Sequence, residues 1–126
     1  MGCRGQIKIE DSGVFLYTHW GADQMVDDLK CILAMQGVRG RWDDEEYLAR
    51  IIFSQMVKDD IDGTTGYGIG TSQHGDIEKL IVINVEKQTI TVNDLYKQKE
   101  LMYEGFQEFI DDKQHSDIAL DEDFDW

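Results

Sequence analysis

Apolar and polar residues alternate twice near the start of the chain, as they do in strands that bury one face. The first stretch is residues 6–10 and the second is residues 14–20, with the turn-forming Asp11-Ser12-Gly13 between them. This arrangement predicts a β-hairpin. In its second strand one face holds Val14, Leu16, Thr18 and Trp20, and the other holds Phe15, Tyr17 and His19.

Two later stretches have apolar residues at three- and four-residue spacing, which is typical of amphipathic helices. The first predicted helix covers residues 22–36 and the second covers residues 44–58. Asp43 has the position of an N-cap residue for the second helix, and Glu46 follows three residues later, as in a capping box. A mixed apolar pattern further along predicts a third helix over residues 99–111.

Three further strands are predicted between the second and third helices. Residues 67–72 alternate small and larger side chains, residues 79–85 form the most hydrophobic strand, and residues 89–92 return after a turn. The element order is therefore ββααβββα. This order favours an α+β fold in which an antiparallel sheet carries the helices on one face. We expect one domain over residues 1–110, followed by an acidic C-terminal tail over residues 111–126.

The charge of the chain narrows the range of partners. It has 26 acidic and 12 basic residues among 126, a formal net charge of −14. Nine of the acidic residues lie in residues 104–126. An acidic protein is repelled by the phosphates of duplex DNA, so we expect no direct nucleic-acid partner. The same charge repels anionic membranes and attracts basic protein surfaces.

The N-terminal residues lack the apolar run of a signal peptide. No stretch approaches the ~20 apolar residues of a transmembrane helix. The two cysteines, Cys3 and Cys31, are interpreted as reduced thiols. We therefore expect a cytoplasmic protein without membrane contact. Ligand pockets often lie at symmetric interfaces, which makes a homo-oligomer a further expectation.

Tyr17 and His19 are the first candidates for ligand contact, because they lie on the strand face that Trp20 does not share. An imidazole can hold an anion or a proton, and an aromatic ring can stack on a ligand. The alternative for His19 is an ordinary surface position on a strand. Trp20 shares its face with Val14 and Leu16, so we predict that Trp20 fills the core.

Arg39, Arg41 and Trp42 form a locally basic loop between the first two helices. Guanidinium groups bind phosphates and carboxylates through paired hydrogen bonds. The loop also precedes a helix N-terminus, whose N–H groups favour anions. The alternative is that both arginines pair with neighbouring acids such as Asp43 or Asp44, because charges on loops are usually paired or solvated.

The third predicted strand contains the glycine-rich run Gly66-Tyr67-Gly68-Ile69-Gly70-Thr71-Ser72. Its G-x-G-x-G spacing and the strand that follows fit neither a dinucleotide-binding turn nor a Walker A loop. Tyr67, Thr71 and Ser72 can offer hydroxyl groups to a ligand. The alternative is a strand whose glycines lie beneath a neighbouring aromatic ring.

The sequence carries no recognisable catalytic or metal-binding motif. Its three histidines are far apart, and it has no C-x-x-C pair. Asp59-Asp60-Ile61-Asp62-Gly63 lacks the acids that an EF-hand needs at its first and last positions. We therefore predict neither a metal nor a cofactor. A hydrolase or transferase built on His19 or His74 has the least support, so the sequence favours a non-enzymatic role without deciding it.

Four segments form a further set: Met1-Gly2-Cys3-Arg4-Gly5, Leu16-Tyr17-Thr18-His19-Trp20-Gly21, Arg41-Trp42-Asp43 with Tyr47-Leu48-Ala49-Arg50, and Gly66-Tyr67-Gly68-Ile69. This set resembles small hypothetical proteins of phages and prophages, which often begin Met-Gly-x-Arg and carry a Tyr-x-His-Trp strand. The resemblance covers about residues 1–92. It implies a small accessory protein of a mobile element that counters host defence.

These observations favour a non-enzymatic protein that binds and sequesters an anionic, nucleotide-like ligand. Arginines would contact its phosphates and aromatic rings its base. The alternative is an acidic DNA mimic or protein-interaction inhibitor that occupies a basic surface of a host defence protein. The candidate ligand-binding residues are Arg4, Tyr17, His19, Arg39, Arg41, Trp42, Tyr67, Thr71 and Ser72.

Overall fold

Six strands and four helices make up residues 3–113, which are the residues described by the computed structural model. The strands are β1 (Gly5–Ile9), β2 (Val14–Thr18), β3 (Tyr67–Gly70), β4 (Lys79–Asn84), β5 (Thr89–Asp94) and β6 (Lys99–Tyr103). The helices are α1 (Met25–Ala34), α2 (Gln36–Arg39), α3 (Glu45–Met56) and α4 (Phe106–Asp111). The predicted acidic tail lies outside the described residues beyond position 113.

The strands form one mixed sheet in the order β3-β2-β1-β4-β5-β6. Neighbouring strands are antiparallel except for β1 and β4, where Gly5 lies beside Lys79 and Ile9 lies beside Ile83 in a parallel pair. The prediction of a single α+β domain is confirmed. The purely antiparallel sheet is corrected to a mixed one, because the long connection through the helices and β3 brings the chain back to the end of the sheet where β1 starts.

One side of the sheet is buried beneath the helices, and we call it the helix side. Ile7 of β1 lies between Leu16 of β2 and Ile81 of β4, and all three side chains are fully buried. Burial of each such side chain contributes about 1.5–3 kcal/mol to folding. The helices add to the same core the buried residues Val26, Leu29, Leu33, Leu48, Ile52, Phe106 and Phe109.

The two long helices, α1 and α3, form where the apolar spacing predicts them, but each covers fewer residues than predicted. α1 ends at Ala34 because Met35 adopts an extended conformation, and the short α2 replaces part of the predicted basic loop. The cap of α3 is Asp44 and not Asp43. Its carboxylate accepts a hydrogen bond from the backbone N–H of Tyr47 at 3.2 Å, which satisfies one of the unpaired donors at the start of the helix.

The predicted helix over residues 99–111 is wrong in its first half. Residues 99–103 form β6, which pairs with β5, and α4 begins only after Gly105. The turn before β6 explains the difference. Gln98 has a φ of 55°, and the Asp94 carboxylate accepts a hydrogen bond from the backbone N–H of Lys97 at 2.9 Å. This side-chain turn directs the chain back into the sheet.

The opposite side of the sheet carries no helix among the described residues, and we call it the open side. Residues 71–78 run back across it from the end of β3 to the start of β4, and we call them the crossing segment. The buried amide of Gln6 holds this segment. Its Nε2 donates to the carbonyl oxygen of Ser72 at 3.2 Å, and its Oε1 accepts from the backbone N–H of His74 at 2.9 Å.

Candidate functional site

Five aromatic or imidazole rings follow one another around one end of the sheet. His74 and Tyr17 have ring centroids 4.6 Å apart, and the Tyr17 hydroxyl lies 3.1 Å from Nδ1 of His19 in a hydrogen bond. The His19 ring meets Trp20 edge-on at 5.4 Å, and Trp20 meets Tyr67 edge-on at 6.4 Å. We call these five residues the aromatic row. It leads from the open side around the sheet edge to the helix side.

Strand alternation and the crossing segment together position this row. Tyr17 points to the open side because its neighbour Leu16 is buried in the core on the helix side. His74 reaches Tyr17 from above, because Gln6 fixes its backbone over the sheet. The placement is therefore a product of tertiary contacts as well as of the strand pattern.

Trp20 does not fill the core as predicted: it is 52% exposed. β2 ends at Thr18, and the chain bends at residues 19–20, so the two-residue alternation no longer decides which way Trp20 points. The bend is held by the Thr18 hydroxyl, which accepts a hydrogen bond from the backbone N–H of Gly21 at 3.0 Å. The indole consequently lies on the surface at the sheet edge.

Gly66 is the residue on which the Trp20 ring packs. Gly66 has a φ of +100°, and a Cβ atom added there would lie 2.1 Å from Cζ3 of Trp20. The interpretation of glycines beneath an aromatic ring is therefore confirmed at this position. At Gly68 and Gly70 an added Cβ would meet no atom within 4 Å, so those glycines leave open space along β3.

Several predicted site residues gather near the aromatic row. Arg4 directly precedes β1, at the end of the sheet where Gly5 pairs with Thr18. Its guanidinium Nε is 3.5 Å from a carboxylate oxygen of Asp76, which belongs to the crossing segment. Ser72 belongs to the same segment, and Thr71 next to it is exposed. Tyr17, His19 and Tyr67 are members of the row itself.

Arg39, Arg41 and Trp42 lie elsewhere. Trp42 donates from Nε1 to the carbonyl oxygen of Leu33 at 3.1 Å, and its own carbonyl accepts from the side chain of Gln88 at 2.8 Å. Gln88 lies in the turn after β4, at the end of the sheet opposite the aromatic row. The length of β4 separates the two groups by roughly 17 Å along the strand direction. The predicted residues therefore do not line a single cavity.

The contacts of the two arginines account for their positions. The Arg41 guanidinium lies 4.5 Å from the centroid of the Tyr47 ring and 3.5 Å from the Asp44 carboxylate, so the expected pairing with a local acid is confirmed for Arg41. The Arg39 guanidinium lies 5.1 Å from the Trp42 ring centroid and donates to the Gln107 side chain at 2.6 Å. These contacts tie the α2 region to α4 and α3.

A groove borders the row on the helix side, between α1 and the end of α3. It consists of two adjoining cavities of about 340 Å³ and about 90 Å³, whose walls share Tyr67, Ile32 and Met56. Asp28, Lys58 and Asp59 stand on its exposed rim. The groove is thus apolar at its base, and its mouth carries two acids and one base.

Cys3 lies at the same end of the sheet, but it is poorly suited to nucleophilic chemistry. Burial and a hydrogen bond from its thiol to the Glu78 carboxylate, 3.2 Å away, raise the pKa of Cys3 to about 11. The reactive form of cysteine is the thiolate, so the Cys3 thiol is largely inert near pH 7. Among residues 3–113, no group of three or more His, Cys, Asp and Glu side chains has the arrangement of a metal site.

Sequence reasoning did not place His74 beside Tyr17, and it missed the surface position of Trp20 and the groove. No local pattern identifies them, because each depends on segments distant in the chain. His74 meets Tyr17 across 57 positions of sequence. The nearest available signal was the run of glycines at 66–70, which indicated a close approach of another group without naming Trp20.

Comparisons with known proteins found no match for this chain. No protein-family model, curated protein or solved structure matches the chain. Within the part of the chain that the structure describes, no helix is both long and apolar enough to cross a membrane.

Proposed function

We propose that this protein is a non-enzymatic interaction module that binds a basic surface of a partner protein through the aromatic row. The observation that carries the proposal is the row itself: five rings, each beside the next, including the half-exposed Trp20, on a chain with a net charge of −14. Trp and Tyr dominate the binding energy of protein interfaces, because they bury a large area with few rotatable bonds.

The charge of the protein complements this role. Residues 3–113 alone carry 21 acidic and 12 basic residues. A field of this sign accelerates encounter with basic surfaces and repels acidic ones. The row would then supply most of the affinity, and the surrounding acids would supply orientation and selectivity.

The resemblance to small phage proteins extends the proposal to the identity of the partner. A protein of a mobile element that blocks a basic surface would act as an inhibitor, and we propose a host defence protein as its target. In this role the protein needs no catalytic group, since occupancy of the surface is sufficient.

The proposal predicts that Trp20→Ala abolishes partner capture. Removal of a central tryptophan from an interface should weaken binding by about 30-fold or more, equivalent to about 2 kcal/mol. The measurement is affinity capture from host cells with the tagged full chain, followed by titration of the captured protein against each variant.

Tyr47→Ala is the matched control for this experiment. Tyr47 is 51% exposed, nearly the same as Trp20, but it lies on α3 beside Arg41 and away from the row. Its loss should change the affinity less than threefold, since isolated surface contacts carry little binding energy (a threefold change is about 0.6 kcal/mol). Equal loss in both variants, or undiminished capture by Trp20→Ala, would refute the role of the row.

A nucleotide-like ligand is a second candidate, favoured by the position of Arg4 at the end of the sheet that holds the aromatic row and by the Tyr17–His74 pair. A base could stack on these rings while the guanidinium binds a phosphate. Calorimetry with linear and cyclic nucleotides is the test. Binding that disappears in Arg4→Gln would support this function, and the absence of heat at about 1 mM ligand would exclude any affinity useful for sequestration.

A further inference from the structure

Among residues 3–113, β3 forms one edge of the sheet and is paired with β2 alone. The backbone N–H of His19 donates to the carbonyl oxygen of Gly66 at 2.8 Å. In an antiparallel pair, hydrogen-bonded positions alternate with positions whose backbone groups point away from the partner strand. The N–H and C=O groups of Tyr67 and Ile69 therefore point outward from the sheet.

This edge lacks the charged residues and prolines that usually prevent pairing with another strand, although β3 is only four residues long. Natural edge strands are commonly protected by lysines, prolines or bulges. The chain contains no proline, and residues 63–75 contain no Asp, Glu, Lys or Arg, although charged residues make up 30% of the whole chain. β6, at the other edge, carries Lys99 and Glu100. The β3 edge is thus distinctive in being uncharged.

The groove lies where the side chains of an added strand would point. Tyr67 pairs with Thr18 and Ile69 pairs with Leu16, whose side chain is buried on the helix side. A strand added beyond β3 places every second side chain on that same side. Those side chains would enter the groove beside Tyr67, where the cavities have room for them.

We propose that the β3 edge and the groove bind an extended, basic segment of the partner protein by strand addition. Its backbone would pair with Tyr67 and Ile69, and its apolar side chains would fill the space between Ile32 and Met56. Its lysine or arginine side chains would face Asp59 on the rim of the groove. The inference rests on the proposed function, because it assigns the binding mode of the partner that also contacts the aromatic row.

Charge decides between a partner segment and a second copy of this chain. The uncharged β3 strands of two copies are compatible in themselves, but each copy brings a net charge of −14. Like charges facing each other across an interface oppose association. A basic segment removes this penalty, which favours a different protein as the occupant.

The test uses a nine-residue peptide, blocked at both ends, titrated into the ¹⁵N-labelled full chain. On the helix side the peptide carries valine at its three central positions and lysine at the two outer ones, and threonines alternate with them on the open side. We expect saturable NMR shifts at the amides of residues 65–71 and at the last turn of α3. The same peptide N-methylated at alternate residues should bind about tenfold more weakly, which corresponds to the loss of one or two backbone hydrogen bonds. A glutamate-for-lysine peptide should not bind.

Variants of the protein give the matched comparison. Ile69→Pro removes an outward N–H without touching the pairing with β2, and it should weaken peptide binding about tenfold. Ile69→Val keeps the N–H and should leave the affinity within about twofold. Asp59→Lys should weaken binding by a factor that shrinks as salt is added. If Ile69→Pro does not fold, Asp59→Lys and the N-methylated peptide still decide the test.

Each other outcome overturns the inference. Shifts confined to other residues, equal binding of the N-methylated peptide, or a self-associated protein whose β3 signals respond to dilution would each exclude addition of a partner strand. If Trp20-dependent capture persists while the peptide fails, strand addition is wrong and the aromatic row remains the binding surface. If Trp20→Ala leaves capture unchanged as well, both proposals fail.

Discussion

Gly66→Ala should lower the free energy of unfolding by about 2–3 kcal/mol, through backbone strain of about 1–2 kcal/mol and the loss of a ring contact. The strain arises because Gly66 has a φ of +100°, a conformation that residues with a Cβ atom avoid. The ring contact is lost because the new methyl group would lie 2.1 Å from Cζ3 of Trp20, so the indole must leave its place beside Tyr67. Chemical denaturation measures the loss of unfolding free energy. Quenching of tryptophan fluorescence measures the displacement of the Trp20 indole.

Gly68→Ala provides the control two residues along the same strand. An added Cβ at Gly68 meets no atom within 4 Å, and no positive φ is recorded there. The substitution should change the stability by less than about 0.5 kcal/mol, since it creates neither strain nor a clash. Similar losses in both variants would show that Trp20 does not rest on Gly66 in solution.

The alternation in the first hairpin predicted more than the existence of two strands. It placed Phe15 and Tyr17 on one side and Leu16 on the other, and that division separates the open side from the core. Such a prediction succeeds because the side-chain direction in a strand is fixed by local geometry alone. The same reasoning failed at Trp20, where the strand had already ended and a bend set the direction.

Helix spacing predicted α1 and α3 for a similar reason, and the failure at residues 99–111 shows its limit. Leu101 and Tyr103 are two residues apart and face the core from a strand, whereas Phe106 and Phe109 are three apart and face it from α4. A short apolar run fits both spacings, so only pairing with β5 decides between them. The local sequence pattern does not show whether this pairing forms.

The candidate site was predictable only in part, because its members meet through tertiary structure. Tyr17 and His19 are neighbours on one strand, and sequence reasoning placed them together correctly. Arg39 and Arg41 were grouped with them by chemistry alone, since both suit an anionic ligand. The fold instead places the two arginines at the other end of the sheet. Residue types alone do not reveal this separation.

Tyr103 forms a contact that joins the sheet to α4, and its removal should be costly. The hydroxyl donates to the Asp112 carboxylate at 2.6 Å, and the ring packs against Phe109 with centroids 5.2 Å apart. The Lys30 ammonium group, which donates to the carbonyl oxygen of Asp112, holds the same end of α4 to α1. Tyr103→Phe keeps the ring but leaves the carboxylate without this donor, so we expect a loss of about 1–3 kcal/mol near pH 7.

The dependence of this loss on pH identifies its cause. Burial, followed by the hydrogen bond to Asp112, raises the pKa of Tyr103 above its ordinary value of 10.0. Above pH 10 the unfolded chain therefore releases a proton that the folded protein retains. The stabilisation is complete below pH 10 and declines by about 1.4 kcal/mol for each pH unit above it.

The free-energy difference between the wild type and Tyr103→Phe should therefore be constant from pH 7 to 9 and should narrow above pH 10. Urea denaturation at several pH values up to about 11.5 measures this difference directly. Tyr96→Phe serves as the control at pH 7, because Tyr96 is 73% exposed and its loss should cost less than about 0.5 kcal/mol. A difference that stays constant through pH 11.5 would mean that the Tyr103 hydroxyl ionises as readily in the folded protein as in the unfolded chain. The bond to Asp112 would then not be what fastens α4 to the sheet.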